Sequence, residues 1–388
     1  MDIHGQLARG VFVPFYEKRW GVDDPGMRRL LDDSQWWPAE RIRALQLERL
    51  RSLLDYAATS NPFYRERLAS VGYTPGDLRS LDDVASIPLL TKDDVRAHGE
   101  AMISDGHDRS FMHHRRTGGS TGVPLHLYWD AAANRFKHSI TRRHDAWAGY
   151  APGVRRAALW GDTDKRYPWK QRLHKTLCER TVFLDTLEMN DATIDAFVER
   201  LRRFRPTSLI GHAHSIFFFA DHLRRHGIDD LVFEGIISTA ETLSDEERKV
   251  IEEVFGPVVF DRYGCEELSI VASECERHDG LHTAAEGAYV EVLDGDSNTP
   301  GRVVVTDLMS RGMPFVRYEV GDLATVADGT CACGRGLPRL GRVFGRTSDI
   351  LYAPDGRRIS GISILDTFMI HVPGVKQAQI VQDAIDHV

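Results

Sequence analysis

From residue 111 to about 270 the chain alternates short apolar bursts with amphipathic stretches, and this rhythm constrains the fold more than any other feature. The segments "RRAALWGD", "PTSLIGHAHSIFFFADHLRRHG" and "LVFEGIISTAETLSDEERKVIEEVFGPVVFDRYG" read as strand, loop, helix and strand in succession. Such a pattern predicts an α/β layer architecture in which ligand-contacting residues gather in loops at strand ends. Residues 1–100 read instead as a helical cap region. There "PAERIRALQLERLRSLLDYAATS" puts Ile42, Leu45, Leu50, Leu53 and Leu54 near helical spacing, and Thr91 caps a later helix in "LTKDDVRAHGE". From 281 to 345 the segments shorten to "AYVEVLD", "GRVVVTDL" and "LATVAD", which read as antiparallel strands between Gly, Asp and Pro turns.

The bulk numbers narrow the function. With 388 residues, 42% of them hydrophobic, the chain can bury substantial cores. Its formal charge of −8 gives no basic field for nucleic acid, so no such partner is expected. No apolar run approaches the roughly 18–20 residues of a membrane span, and the first twenty residues do not read as a secretory signal. The expectation is a cytoplasmic protein with no membrane partner. Five cysteines form an odd, sparse set, which argues against a disulfide framework.

Chemistry is suggested first by "RRTGGSTGVPLHLYWD" (115–130), where glycines and hydroxyls precede a strand-like run. Such a cluster is either a plain turn or a cradle of backbone N–H groups and hydroxyls around a phosphate. It is not a Walker loop, because no lysine follows Gly122. Downstream, in order, come "ISTAETL" (237–243), "FDRYGCEEL" (260–268), "RYEVGDLA" (317–324) and "GRTSDIL" (345–351).

These ordered motifs, with "YAATSNPFYRERLASVGY" and "SIPLLTKDDVR" before them, resemble the adenylate-forming superfamily, and most closely its phenylacetate-CoA ligase-like branch. The resemblance covers roughly residues 45–375. It implies an α/β fold: a large N-terminal adenylation domain (1–345) with a small antiparallel β subdomain (271–345), followed at 346–388 by a hinge and an incomplete, mobile C-terminal α+β domain. It also implies a reaction, in which a carboxylic acid is activated by ATP as an acyl-adenylate and then passed to a thiol. CoA is the implied acceptor; a carrier-protein thiol or an amine is the alternative, and a catalytically impaired zinc domain serving as a partner module is a third reading. A homodimer is an option within the family.

Residue roles follow from the same resemblance. Thr117, Gly118, Gly119, Ser120, Thr121 and Gly122 match the loop that wraps the β- and γ-phosphates. Where the superfamily usually has a lysine, this chain has Leu125, and the missing charge falls to Arg115 or Arg116 unless those are surface residues. Ser238, Thr239, Ala240 and Glu241 match the segment beside the adenine, Asp261 joins the nucleotide-binding set, Tyr263 matches the aromatic on the base, and Gly264 lets backbone approach. Glu267 matches the magnesium carboxylate, preceded by Glu266 in place of the usual Ser or Thr. Asp322 matches the carboxylate that accepts the ribose hydroxyls. Arg346 matches the hinge arginine near ribose and phosphate, with Ser348 and Asp349 after it.

The second constellation is "CERHDGLH" with "CACG". Two separated pairs of soft ligands suit tetrahedral zinc better than a disulfide. Cys275, His282, Cys331 and Cys333 are the expected structural zinc ligands, with His278 as rival fourth, because the Cys followed by "GLH" recurs in the ligase branch. Cys265 reads as a packing residue and Cys178 carries no role. His212 and His214 either orient a carboxylate or serve as cap and core residues, while Trp147, Trp160 and Phe136 either line an aryl pocket or belong to the core. The resemblance also implies a lysine near the end of a longer C-terminal domain. No such segment precedes Val388, so slow adenylation is expected of this chain.

Overall fold

The computed structural model describes residues 2–22, 24–117, 125–160, 173–346, 350–352 and 358–360, with 380, 382 and 384. Its centre is an eleven-stranded sheet in the order β10-β11-β12-β13-β9-β8-β7-β6-β5-β3-β4. The strands are β3 (Arg156–Trp160), β4 (Thr181–Asp185), β5 (Ser208–His212), β6 (Gly235–Thr239), β7 (Val259–Cys265), β8 (Ser269–Glu274), β9 (Leu281–Thr283), β10 (Ala288–Leu293), β11 (Gly301–Asp307), β12 (Tyr318–Val326) and β13 (Arg339–Arg346). A separate hairpin pairs β1 (His113–Arg116) with β2 (His126–Trp129).

Half of the sheet is parallel. β4, β3, β5, β6 and β7 run the same way. Between strands run the helices Asp191–Phe204, Ala213–His226 and Asp245–Phe255, which bury Phe197, Leu201, Ile216, Phe219 and Ile251 with strand residues such as Leu159, Leu209 and Ile236. Local chemistry sets these helices: Asn190 with Thr193, and Ser244 with Glu247, close reciprocal capping boxes.

At β7 the direction changes. β8 pairs antiparallel with β7, and every strand beyond it is antiparallel. The antiparallel part is therefore continuous with the α/β part through the β7–β8 hairpin. The reversal leaves the carboxyl ends of β5, β6 and β7 open on one edge, the place where open α/β sheets bind ligands.

Within residues 1–100 the regular elements are helices. The helix Ala39–Ser60 buries Ile42, Gln46, Leu50, Leu53, Leu54 and Ala57 along one stripe. Asn61 caps the next helix, Pro62–Ala69, and Thr91 closes a capping box with Asp94 at Lys92–His98. Leu90 lies in the core with Leu125, Tyr318 and Val320, and exchanges backbone hydrogen bonds with Arg317 and Glu319. That pairing brings the first turn of the Lys92 helix beside β12. No helix among the described residues is long and apolar enough to cross a membrane.

Candidate active site

One cleft opens where the parallel strands end. It is lined by Ala240, Glu241 and Thr242 after β6, by Asp261 to Gly264 of β7, by Asp322 of β12, and by Gly345 and Arg346 of β13, with His214 at the side. Four of the segments singled out in the sequence thus meet in space, although they lie far apart in the chain.

Backbone geometry shapes this cleft. Ala240 adopts φ +69°, a left-handed conformation rare for a residue with a side chain. Gly264 sits at a register shift of the β7–β8 pair, and a Cβ there would lie 2.4 Å from the Ser269 carbonyl oxygen, so only glycine fits. Gly321, at φ +88°, turns the chain just before Asp322.

Side chains then close a charged network. Tyr263 Oη donates to Asp322 Oδ2 at 2.8 Å, and Arg346 Nε lies 3.2 Å from Asp322 Oδ1. Burial pushes the Asp322 carboxyl above its usual value against the pull of Arg346, and burial with Asp322 beside it pushes the Tyr263 phenol well up. Asp261 is raised to about 7 by burial and by the nearby Glu274 charge. His214 accepts a place in the same wall: its backbone N–H donates to Glu241 Oε2, and its Nδ1 lies 2.5 Å from Glu247 Oε1. His212 instead ends β5 with its ring 4.4 Å from that of Trp160.

Ser238 and Thr239 do not reach the cleft lining. Ser238 is fully buried in β6, and its Oγ finds no partner among the described residues. Glu267 sits just beyond the cleft, with its Oε1 receiving a 2.7 Å hydrogen bond from Tyr318 Oη. The Glu266 side chain is about half exposed; partial desolvation and the Glu267 charge raise its pKa, opposed by Arg115, whose Nη1 lies 3.6 Å away. Arg115 is therefore engaged with Glu266 and the Trp129 ring rather than being a bare surface cation.

At the base of the glycine-rich loop, Thr117 N–H donates to the Leu125 carbonyl and Leu125 N–H donates to Thr117 Oγ1 at 2.9 Å. Leu125 itself is buried in the core with Leu90 and Tyr263. A lysine in that setting would be desolvated, which suits an apolar residue at this position of this chain. Gly118, Gly119, Ser120, Thr121 and Gly122 lie outside the described residues, as do Ser348 and Asp349.

Lys92 was not legible as a site residue. Its ammonium and the Arg346 guanidinium each come within 3.8 Å of where a Gly321 Cβ would stand. Burial and Arg346 lower the Lys92 pKa, while Glu267 and Asp322 raise it. A helix start placed by a β-bridge at Leu90 leaves no local sequence signal for this approach.

The second cluster also assembles. Cys275, His282, Cys331 and Cys333 hold their ligand atoms within 4.8 Å of one another. Cys275 Sγ lies 3.7 Å from Cys331 Sγ, and Cys333 Sγ lies 3.3 Å from His282 Nε2. A tetrahedral ion with 2.3 Å metal–sulfur bonds needs sulfur–sulfur edges of about 3.8 Å, so the four atoms fit zinc. His282 Nδ1 faces the Leu337 carbonyl at 3.3 Å, which directs Nε2 inward. His278 turns away to Glu274 Oε2, so it is not the fourth ligand of this set.

Of the aromatic residues considered for an aryl wall, two belong elsewhere. Phe136 packs with Leu31, Ile140 and Ala284, and Trp147 stacks on His144 near the cysteine cluster. Trp160 is exposed, at the end of β3.

No family model matches the chain. Individual proteins do. Over 341 residues it is 28% identical to the phenylacetate-coenzyme A ligase of Thermus thermophilus, covering 85% of this chain and 74% of that one. It is also 28% identical over 361 residues to the phenylacetate-coenzyme A ligase of Pseudomonas putida, covering 88% and 77%. Among solved structures, 2-hydroxyisobutyryl-CoA ligase in the postadenylation state with 2-HIB-AMP superposes with a TM-score of 0.70 at 22% identity, over 88% of this chain and 76% of that one. The fold is that of the adenylate-forming CoA ligases. In sequence the chain is similar to these phenylacetate-coenzyme A ligases.

Proposed function

We propose that this chain is an AMP-forming ligase that joins a carboxylic acid to CoA. In the first half-reaction an acid oxygen attacks the α-phosphorus of ATP, the bond to pyrophosphate breaks, and an acyl-adenylate forms. In the second, the CoA thiol attacks the acyl carbonyl, loses its proton, and AMP departs. The observation that carries this reading is the Tyr263, Asp322 and Arg346 network in a cleft at the strand ends, in a chain homologous to such ligases.

Each role follows from the chemistry of the group. Asp322 accepts the ribose hydroxyls, Arg346 steadies sugar and phosphate, and Tyr263 with Asp261 and the 240–241 backbone receives the base. Thr117 and the glycine-rich segment after it are assigned to the phosphates. Lys92 supplies, beside Arg346, the cationic charge that developing negative charge on phosphorus requires. Glu267 fits magnesium: it is a buried carboxylate with no ion-pair partner among the described residues, an arrangement that a hard cation relieves. Magnesium there would offset triphosphate charge. The Arg115 pairing with Glu266 keeps the second acid from repelling nucleotide, which favours an active ligase over an impaired binding module.

We assign zinc to Cys275, His282, Cys331 and Cys333, in a structural role. Burial lowers the His282 pKa to about 4, so its imidazole is neutral and able to ligate at physiological pH. Thiols kept for zinc, and no disulfide among the five cysteines, suit a reducing cytoplasm. The test is acyl-CoA formation with AMP release, measured across aliphatic and aryl acids with and without CoA. Acid-dependent AMP release only when CoA is present supports the reading; no AMP from any acid contradicts it.

A further inference from the structure

Trp129 ends β2, at the opposite end of the β1–β2 hairpin from the glycine-rich loop, yet its side chain reaches across the molecule. Its indole Nε1–H donates to the Glu267 carbonyl at 3.2 Å. Two cations lie on the ring, Arg115 at 4.6 Å and Lys137 at 4.7 Å from the centroid. Arg115 also reaches Glu266. Lys137, buried in the helix Ala131–Trp147, donates to the next carbonyl, Leu268, at 2.9 Å and to Asp307 Oδ2 at 2.6 Å. Asp307 Oδ1 in turn accepts the backbone N–H groups of Met309 and Ser310.

Two consecutive carbonyls of the turn that carries Glu267 are thus gripped by side chains from one segment of chain. Tyr318 holds the carboxylate, and Trp129 with Lys137 holds the backbone beneath it. The turn's own backbone bond, from Leu268 N–H to the Cys265 carbonyl at 3.2 Å, leaves the Glu267 and Leu268 carbonyls to these donors, which help set where the carboxylate points. Buried, satisfied contacts of this kind fix a ligand's orientation and thereby its affinity for a metal.

We propose that Trp129, anchored by Lys137, is a positioning residue that holds the Glu267 turn and sets the affinity of the site for magnesium–ATP. The inference rests on the role given to Glu267 above. Trp129→Phe is the appropriate probe, because it keeps a ring for the two cations and removes only the N–H donor. Lys137 is a poorer one, since its loss would strand the buried Asp307 charge.

The readout is calorimetric titration of the full chain with ATP, in magnesium and in excess chelator, beside acyl-CoA formation. Trp129→Phe is expected to weaken magnesium–ATP binding about tenfold, the low end for loss of a ligand's supporting contact, and to leave magnesium-free ATP binding unchanged. Placed on Glu267→Gln, it should add little further. Trp129→His retains a ring N–H and should bind magnesium–ATP more tightly than Trp129→Phe. The inference is overturned if Trp129→Phe binds magnesium–ATP as wild type does, if its effect is as large on the Glu267→Gln background, or if it weakens binding equally without magnesium. Wild-type binding without acyl-CoA formation would defeat the functional reading, while the Trp129 comparison would still be decided by the binding shift.

Discussion

Tyr263 and Asp322, on strands separated in the sheet by β8, β9 and β13, are joined by a 2.8 Å hydrogen bond that draws one carboxylate to the centre of the cleft. With Arg346 on its other oxygen, Asp322 is held ready to accept two neighbouring hydroxyls. Asp322→Asn loses the charge that makes those bonds strong, and ATP binding should weaken roughly 10- to 100-fold. Titration calorimetry with ATP checks this, and Tyr263→Phe should cost less than Asp322→Asn.

Lys92 tests a residue found only in three dimensions. Lys92→Met should slow acyl-adenylate formation on the order of 100-fold, the scale of losing one donor to developing charge. AMP affinity should change far less. Pre-steady-state pyrophosphate release, compared with AMP binding by fluorescence, separates the two effects; equal losses in both would place Lys92 in simple nucleotide binding.

Asp261 predicts a pH dependence. Its carboxyl is raised to about 7 in the folded protein against 3.8 in the open chain, first by burial and then by Glu274. The native state therefore holds this proton more tightly than the unfolded state. Below pH 4 both states are protonated and nothing is lost; from about pH 4 to pH 7 the folded state loses stability relative to the unfolded, and above pH 7 the loss is complete. Asp261→Asn carries no such proton. Urea midpoints measured from pH 4 to 8 should show wild type declining against Asp261→Asn across that window and running parallel to it above.

The cysteine cluster predicts one zinc per chain. Cys331→Ser should abolish stoichiometric zinc by elemental analysis and lower the melting temperature by on the order of 5–10 °C. His278→Ala should keep its zinc, because His278 faces Glu274 and not the cluster.

Much of the site was legible because its residues occur in short runs whose chemistry is local. Tyr263, Gly264, Asp322 and Arg346 each sit in such a run, and the structure brings them to one cleft; Cys275, His282, Cys331 and Cys333 converge in the same way. Lys92, Trp129 and Tyr318 were not legible. Their part depends on a β-bridge at Leu90, on the β1–β2 hairpin and on β12 lying close together, contacts between segments distant in the chain. Phe136 and Trp147 show the converse. Composition alone does not tell a wall from a core, and both pack inside. The α/β rhythm was visible from its periodicity, whereas the continuity of the parallel and antiparallel halves depends on the pairing of β7 with β8, which no local pattern reveals.

The most direct measurement is isotope exchange between pyrophosphate and ATP, run with a panel of carboxylic acids on the folded chain in magnesium, wild type beside Asp322→Asn. Exchange that requires an acid and falls at least tenfold in Asp322→Asn is the predicted result. Exchange absent with every acid, or undiminished when Asp322 is replaced, would contradict the account.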